Sequence, residues 1–584
     1  MKTKIEEIFF NAKKVVFRYP LVLFMSVLMT VCAVCLIENS VDNFVLFRIL
    51  LVSALGISLM FAFKIWSQRS NNYWGEILGI LFLIGFYFIL PKDEDDFTEF
   101  YAYLLIPVFI LSHLLVSFVA FVRKQDHENN FWQYNKNLFV NFFLTLVFTG
   151  VLTGGVLLAI LAVDNLFNVG FEENIYGQIF VSLLIFGSSF IFLLFNETGL
   201  DFLEKEGKYP VVLKFFTQYV LIPLLCIYVV ILYFYSGKIL INWELPRGWV
   251  SYLILAYSIV GILALLLVHP LKENTDKSWI RIFSKVFYFT LIPLIVLLFV
   301  AIFTRVLEYG YTEPRYYVLL LSIWLSAVVL YFIFRKSPSI KFIPISLFCF
   351  GTFALIFPYL NAFSVAKRSQ KNQLEKILTQ NNLLKNGKID FTKEVQDTVA
   401  TEIADKFVFL NDRFQEDYLN SLLDEKEQEE FKDGYYWSLS QKFTNRKYSE
   451  NSSSNTQTSL NLVSKGGVYS LGQYKYMIAY QELENSFVQI GKDSLKLVNK
   501  TGENQQYKLV LNDKETLDLI PLVDRIFEKY KYSKNYAEVG ELSAEGDLGK
   551  FKIKIFFRSI NRSKYNSGEY SYWFDTPIIL VKGQ

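Results

Sequence analysis

The chain has 584 residues, 53% of them hydrophobic and 17% aromatic, with a formal net charge of +3. That is too apolar for a soluble protein of this length. Basic and acidic residues number 26 and 24 over 1–363 and 32 and 31 over 364–584, so neither part is a basic nucleic-acid binder.

Residues 4–18 read as a basic amphipathic helix, with Ile5, Ile8, Phe9, Ala12, Val15 and Val16 on one face and Lys13, Lys14 and Arg18 beside it. Such a helix lies in a membrane interface. Eleven apolar stretches follow, at 20–37, 44–66, 74–90, 100–122, 138–163, 175–195, 215–235, 249–269, 283–303, 316–334 and 342–363. About 20 helical residues cross a hydrocarbon core of about 30 Å, so these predict a polytopic membrane bundle of about eleven helices. Cys32, Cys35, Cys226 and Cys349 all fall inside the stretches and read as small packing residues. The first stretch lacks a small-residue cleavage site and reads as an uncleaved anchor.

Lys and Arg number 18 in the N-terminus and the even-numbered loops, and 5 in the odd-numbered loops. Basic loops stay cytoplasmic. The N-terminus is therefore expected inside, and an odd number of crossings puts residues 364–584 outside. Helical periodicity at 365–386, 393–410 and 413–431 predicts a helical stalk. A polar run at 449–459 reads as a linker. Strands are expected at 474–480, 487–490, 495–498, 507–511 and 550–557, a helix at 517–530, and a last strand or pair at 569–581. The domain order is then an interfacial helix at 1–19, the bundle at 20–363, the stalk at 364–448, the linker at 449–459 and a sheet-rich domain at 460–584. The outer part is α+β, with a mostly antiparallel sheet. It contains no His and no Cys, which removes the usual metal ligands and nucleophile triads. No cofactor is expected, and the chain reads as a binding or assembly protein before an enzyme.

Ionisable residues inside the stretches are few. Arg48 lies near the outer end of the second, and His113 lies near the middle of the fourth. Intramembrane ionisable groups are functional candidates. Tyr219-Val220-Leu221-Ile222-Pro223-Leu224 and Phe289-Thr290-Leu291-Ile292-Pro293-Leu294 lie seventy residues apart, and Pro246-Arg247 and Pro314-Arg315 lie sixty-eight apart. If the two hairpins are a repeat, Arg247 and Arg315 share one depth on the outer face near Asp164. Two readings stand. The arginines clamp a phosphate or carboxylate, which a guanidinium binds bidentately. Otherwise they pair with Glu244, Glu308 or Glu313, while Trp249 and Tyr309 anchor the interface and Arg305 adds charge.

Several segments in order resemble the family known as domain of unknown function 4153. They are Arg18-Tyr19-Pro20, Phe131-Trp132-Gln133-Tyr134-Asn135, Ala162-Val163-Asp164-Asn165-Leu166-Phe167, Leu245-Pro246-Arg247-Gly248-Trp249, Glu308-Tyr309-Gly310-Tyr311-Thr312-Glu313-Pro314-Arg315 and Arg368-Ser369-Gln370. The resemblance implies a multi-pass protein of the bacterial inner membrane with a periplasmic tail, and no established activity. Three functions compete. One is an envelope scaffold or sensor whose outer domain binds a protein partner or a glycan. Another is a transporter or flippase for an anionic or lipid-linked substrate. The third is a membrane-embedded transferase. A cavity near His113 favours the second, and a sealed bundle favours the first.

Overall fold

The computed structural model describes residues 2–38, 43–122, 128–206, 210–242, 249–270, 278–393, 395–431, 436–443, 459–464, 471–479, 487–500, 506–529, 536–539, 541–564, 570–574 and 578–583. They form two compact units, 1–448 and 449–584.

The first unit opens with α1 (Lys2–Arg18) and α2 (Pro20–Glu38). The break falls at Tyr19 because the residue before a proline is driven out of helical geometry, whereas Pro20 suits a first helical turn. Val15 is buried, while Phe9, Phe10 and Phe17 remain exposed. Then come α3 (Asn43–Ser70), α4 (Trp74–Ile89), α5 (Glu99–Phe118) and the 40-residue α6 (Glu128–Phe167). The next crossing is composite: α7 (Glu173–Ser182), a π-helical turn at Leu183–Gly187, and α8 (Ser188–Phe195). After the short α9 (Leu200–Leu203) another composite follows, with α10 (Val211–Phe215), a π-helical stretch at Phe216–Leu221 and α11 (Ile222–Asn242). The bundle closes with α12 (Trp249–Leu267), α13 (Ser278–Tyr309), α14 (Glu313–Phe334) and α15 (Phe342–Ile356).

Among the described residues, nine helices are long and apolar enough to cross a membrane. This is fewer than the predicted eleven, because α4 and α15 have only 16 and 15 residues. The last stretch does not run to 363. Pro358 and the left-handed Tyr359 (φ 62°) break it, and a new helix, α16 (Ala362–Gln380), starts after Asn361, whose side-chain oxygen accepts from the Ser364 amide. Close approach of α3 and α4 depends on Gly75 and Gly79, a small-xxx-small pair. A Cβ on Gly75 would strike the Trp66 ring, and one on Gly79 would strike Met60.

Contacts sort the loops of this unit to two ends. At one end Arg18 donates to the Thr198 carbonyl, Tyr19 Oη to the Asn196 carbonyl at 2.9 Å, and Arg69 pairs with Glu204. At the other end Thr98 Oγ1 donates to the Asp412 carbonyl at 2.7 Å, and Gln370 Nε2 to the Tyr309 and Tyr311 carbonyls at 3.0 and 2.7 Å. The segment after α15 therefore packs on the end opposite α1. It comprises α16, the hairpin β1 (Leu384–Lys385) and β2 (Lys388–Ile389), α17 (Asp397–Asn411), α18 (Glu416–Ser421) and α19 (Glu425–Glu430). Leu374, Leu378, Ile403, Phe407 and Leu419 form its core.

Among its described residues the second unit has three four-stranded sheets. Its strands are β3 (Ser459–Ser464), β4 (Tyr476–Ala479), β5 (Val488–Ile490), β6 (Asp493–Lys500), β7 (Gln506–Leu511) and β8 (Glu515–Asp518), then α20 (Ile520–Lys529), β9 (Tyr536–Val539), β10 (Ser543–Leu548), β11 (Phe551–Phe556), β12 (Ser559–Lys564), β13 (Tyr570–Phe574) and β14 (Ile578–Gly583). The orders are β10-β11-β14-β4, β13-β12-β3-β9 and β5-β6-β7-β8. Among the described strands of this unit every pair is antiparallel except β3 with β9. Alternation along β11 buries Phe551, Ile553 and Ile555 and turns Lys552 outward. The helix expected from 517 starts at Ile520, because residues 515–518 are a strand.

Candidate functional site

On α6 the residues that face the interior at membrane depth are Asn141, Thr145, Thr149 and Thr153. They recur every fourth position and so stack in one row on a helix, about 18 Å long. Phe142, Leu146, Val151 and Leu158 of the same helix are exposed. The core shared by α12–α14 is mainly apolar, with Ile254, Leu291, Leu298, Leu325 and Val328 buried beside Ser258 and Ser322. The α6 row is only partly satisfied. Asn141 Nδ2 donates to Asn196 Oδ1 at 2.9 Å, and Thr145 Oγ1 to the Asn141 carbonyl at 2.7 Å. The hydroxyls of Thr149, Thr153 and, on α2, Ser26 are buried with no hydrogen-bond partner among the described residues. Each such group costs about 1–3 kcal/mol of unrecovered desolvation.

Beside the row, a cleft of about 530 Å³ opens among α2, α3, α5, α6 and α8. Phe139, Phe142, Leu146 and Phe192 give it apolar walls; His113, Ser117, Asn135, Thr145, Ser188 and Ser189 give it polar ones. His113 Nδ1 lies 2.8 Å from the Phe109 carbonyl. A carbonyl only accepts, so Nδ1 carries a proton. The π-helical turn at Leu183–Gly187 leads into Ser188 and Ser189. Such bulges often mark functional sites.

The other residues singled out from sequence take different places. Arg48 is buried with its guanidinium 4.3 Å from the Tyr87 ring, and its Nη2 reaches the Tyr87 carbonyl at 3.1 Å and the Leu90 carbonyl at 3.5 Å. It thus serves the carbonyl end of α4, where a cation is favoured. Asp164 is taken up by its own loop, accepting from the Gly170 and Phe171 amides at 2.9 and 3.1 Å and from Tyr176 Oη at 2.9 Å. Arg247 and Glu244 lie outside the described residues, as does the side chain of Trp249, which opens α12. Arg305 and Arg315 flank one ring, that of Tyr309, at 5.8 and 5.4 Å from its centroid, and Glu308 is exposed nearby in sequence. Glu313 is fully buried and engaged by Arg413 of the segment after the bundle, Nε to Oε1 and Nη2 to Oε2, both at 2.9 Å. Arg413 was not among the residues picked out by sequence, since a pair 100 positions apart leaves no local pattern.

Residues 22–392 match the model of the family described as Domain of unknown function (DUF4153). The chain belongs to that family. The DUF4153 match takes in the α6 row, the cleft, Arg305, Glu313 and Arg315, and stops before α17 and Arg413. The chain is also similar to Uncharacterized protein PM1469 of Pasteurella multocida (strain Pm70), with 27% identity over 280 residues, 46% of each chain. It thus spans about half the length of that relative. No solved structure matches.

Proposed function

We propose that this DUF4153 protein holds an amphipathic, lipid-linked molecule in the cleft beside His113 and passes its polar part along the α6 row, as a transporter or flippase does. The observation that carries the reading is the row of buried, incompletely paired polar groups beside an open cleft. A polar headgroup in hydrocarbon loses several kcal/mol for each hydrogen bond left unmade. The row offers a hydroxyl or amide about every 6 Å along its path, while Phe139, Phe142 and Leu146 suit an acyl chain. No catalytic residue is assigned. With the protein reconstituted in vesicles, a photoactivatable phospholipid should label peptides of α5 and α6 around His113 and Phe142. Ser189→Phe fills the cleft and should cut that labelling about tenfold, the equivalent of about 1.4 kcal/mol. Undiminished labelling in the variant, or none in the wild type, returns the bundle to the scaffold or sensor reading.

The setting proposed is the bacterial inner membrane, crossed eleven times, with α1 cytoplasmic and α16 onward periplasmic. The charge asymmetry of the loops and the packing of α16 opposite α1 support it. Alkaline phosphatase fused after Gln370 should be active and a fusion after Asn135 inactive. The reverse pattern would overturn the orientation.

A further inference from the structure

The end of the bundle that receives α16–α17 concentrates positive charge. Arg305 and Arg315 approach the same Tyr309 ring. Arg315 Nη1 donates to the Gly310 and Tyr309 carbonyls at 2.8 and 3.3 Å, which leaves Nε and Nη2 without an acceptor among the described residues. Neither guanidinium has a carboxylate within 4.0 Å among those residues. Arg315 also sits in the first turn of the 22-residue α14, where the helix dipole disfavours a cation and favours an anion. The acid of that turn, Glu313, is committed to Arg413. Lys406 lies on α17, the helix that ends two residues before Arg413. It is buried, and its nearest carboxylate is Glu402 at 3.9 Å. Burial and the neighbouring Arg315 push its ammonium below the ordinary lysine range, against Glu402 and Asp405.

We propose that Arg305, Arg315 and Lys406 form a binding site for a phosphate group, with the two guanidiniums as forks and the first turn of α14 as a dipole behind them. A phosphate offers the doubly ionised, many-lone-pair partner that this donor set lacks. The site is at the opposite end of the bundle from α1 and is independent of the cleft beside His113. Phosphate can arrive free or on a lipid headgroup, and the test separates the two. Purified full-length protein is melted with inorganic phosphate, with sodium chloride at equal ionic strength, and in nanodiscs of phosphatidylcholine with and without phosphatidic acid. The melting midpoint should rise with phosphate or phosphatidic acid and not with chloride. A rise in both arms means that the site accepts soluble phosphate; a rise in the nanodisc arm alone means a lipid headgroup. Arg305→Gln/Arg315→Gln should abolish the rise, measured against that variant's own ligand-free midpoint. Lys406→Gln should weaken it. Arg315→Lys keeps the charge, loses the fork and should weaken binding about tenfold; it carries the test if the double variant fails to fold. No rise with either probe, or an undiminished rise in the variants, overturns the proposal.

Discussion

Arg413→Ala should destabilise the 1–448 unit by about 3–5 kcal/mol, the usual cost of breaking a buried pair from one side. The two side chains are 1% and 0% exposed, so truncation strands a carboxylate with no access to water. The same guanidinium stacks 3.5 Å from the Phe409 ring centroid and donates to the Phe409 carbonyl at 3.0 Å, contacts that vanish with it. Arg413→Lys keeps the charge but not the fork, and should recover only part of the loss. The double variant Glu313→Leu/Arg413→Met should melt near the wild type, since an apolar pair of similar volume often replaces a buried ion pair without loss. Thermal melts followed by the monodispersity of the detergent-purified protein check this. If Arg413→Ala and the double variant melt alike, the pair contributes little beyond packing.

Gly75→Ile should cost about 1–3 kcal/mol or prevent assembly of α4 on α3. Alanine in place of glycine favours a helix by up to about 1 kcal/mol, so the outcome depends on what the new atoms meet. At Gly75 they meet the six-membered ring of Trp66 with Phe63 behind it at 3.0 Å, a wall that cannot slide. At Gly79 the first obstacle is the terminal methyl of Met60, which can swing away, and the ring met next, Phe63 at 2.7 Å, is farther off than the Trp66 ring is from Gly75. Gly75→Ala should therefore lower the melting midpoint more than Gly79→Ala, and Trp66→Ala should relieve Gly75→Ala. Equal effects at both positions would show that the ring is free to move.

The bundle was legible because run length alone signals a membrane helix: each of the eleven apolar stretches contains a helix, and among the described residues nine helices are long and apolar enough to cross a membrane. Hydropathy misled where chain geometry decides: Phe357-Pro358-Tyr359-Leu360 is apolar enough to extend a span, yet forms the turn before α16. The short hairpin of β1 and β2 had a signal that went unread. Asn386 and Gly387 both take positive φ, 53° and 80°, as a two-residue turn with Asn-Gly requires. The Asn141-Thr145-Thr149-Thr153 row was also visible as a four-residue spacing, but polar threonines vanish in the average of an apolar run. By contrast, no spacing could have joined Glu313 to Arg413 or Arg48 to the end of α4. Those contacts are made by tertiary packing, and charge alone has no period to read.

The shortness of α4 has its own effect on the surroundings. Sixteen residues give about 24 Å of helix against about 30 Å of hydrocarbon. Its side chains Leu78, Leu81, Phe82 and Phe88 are exposed. In the eleven-crossing topology proposed above, the leaflets beside α4 are drawn together by about 6 Å, at a fraction of a kcal/mol per ångström of mismatch. Such compression is relieved in thinner bilayers and aggravated in thicker ones. Membrane thickness thus becomes a variable that sorts this protein laterally, through the length of one helix and without any ligand.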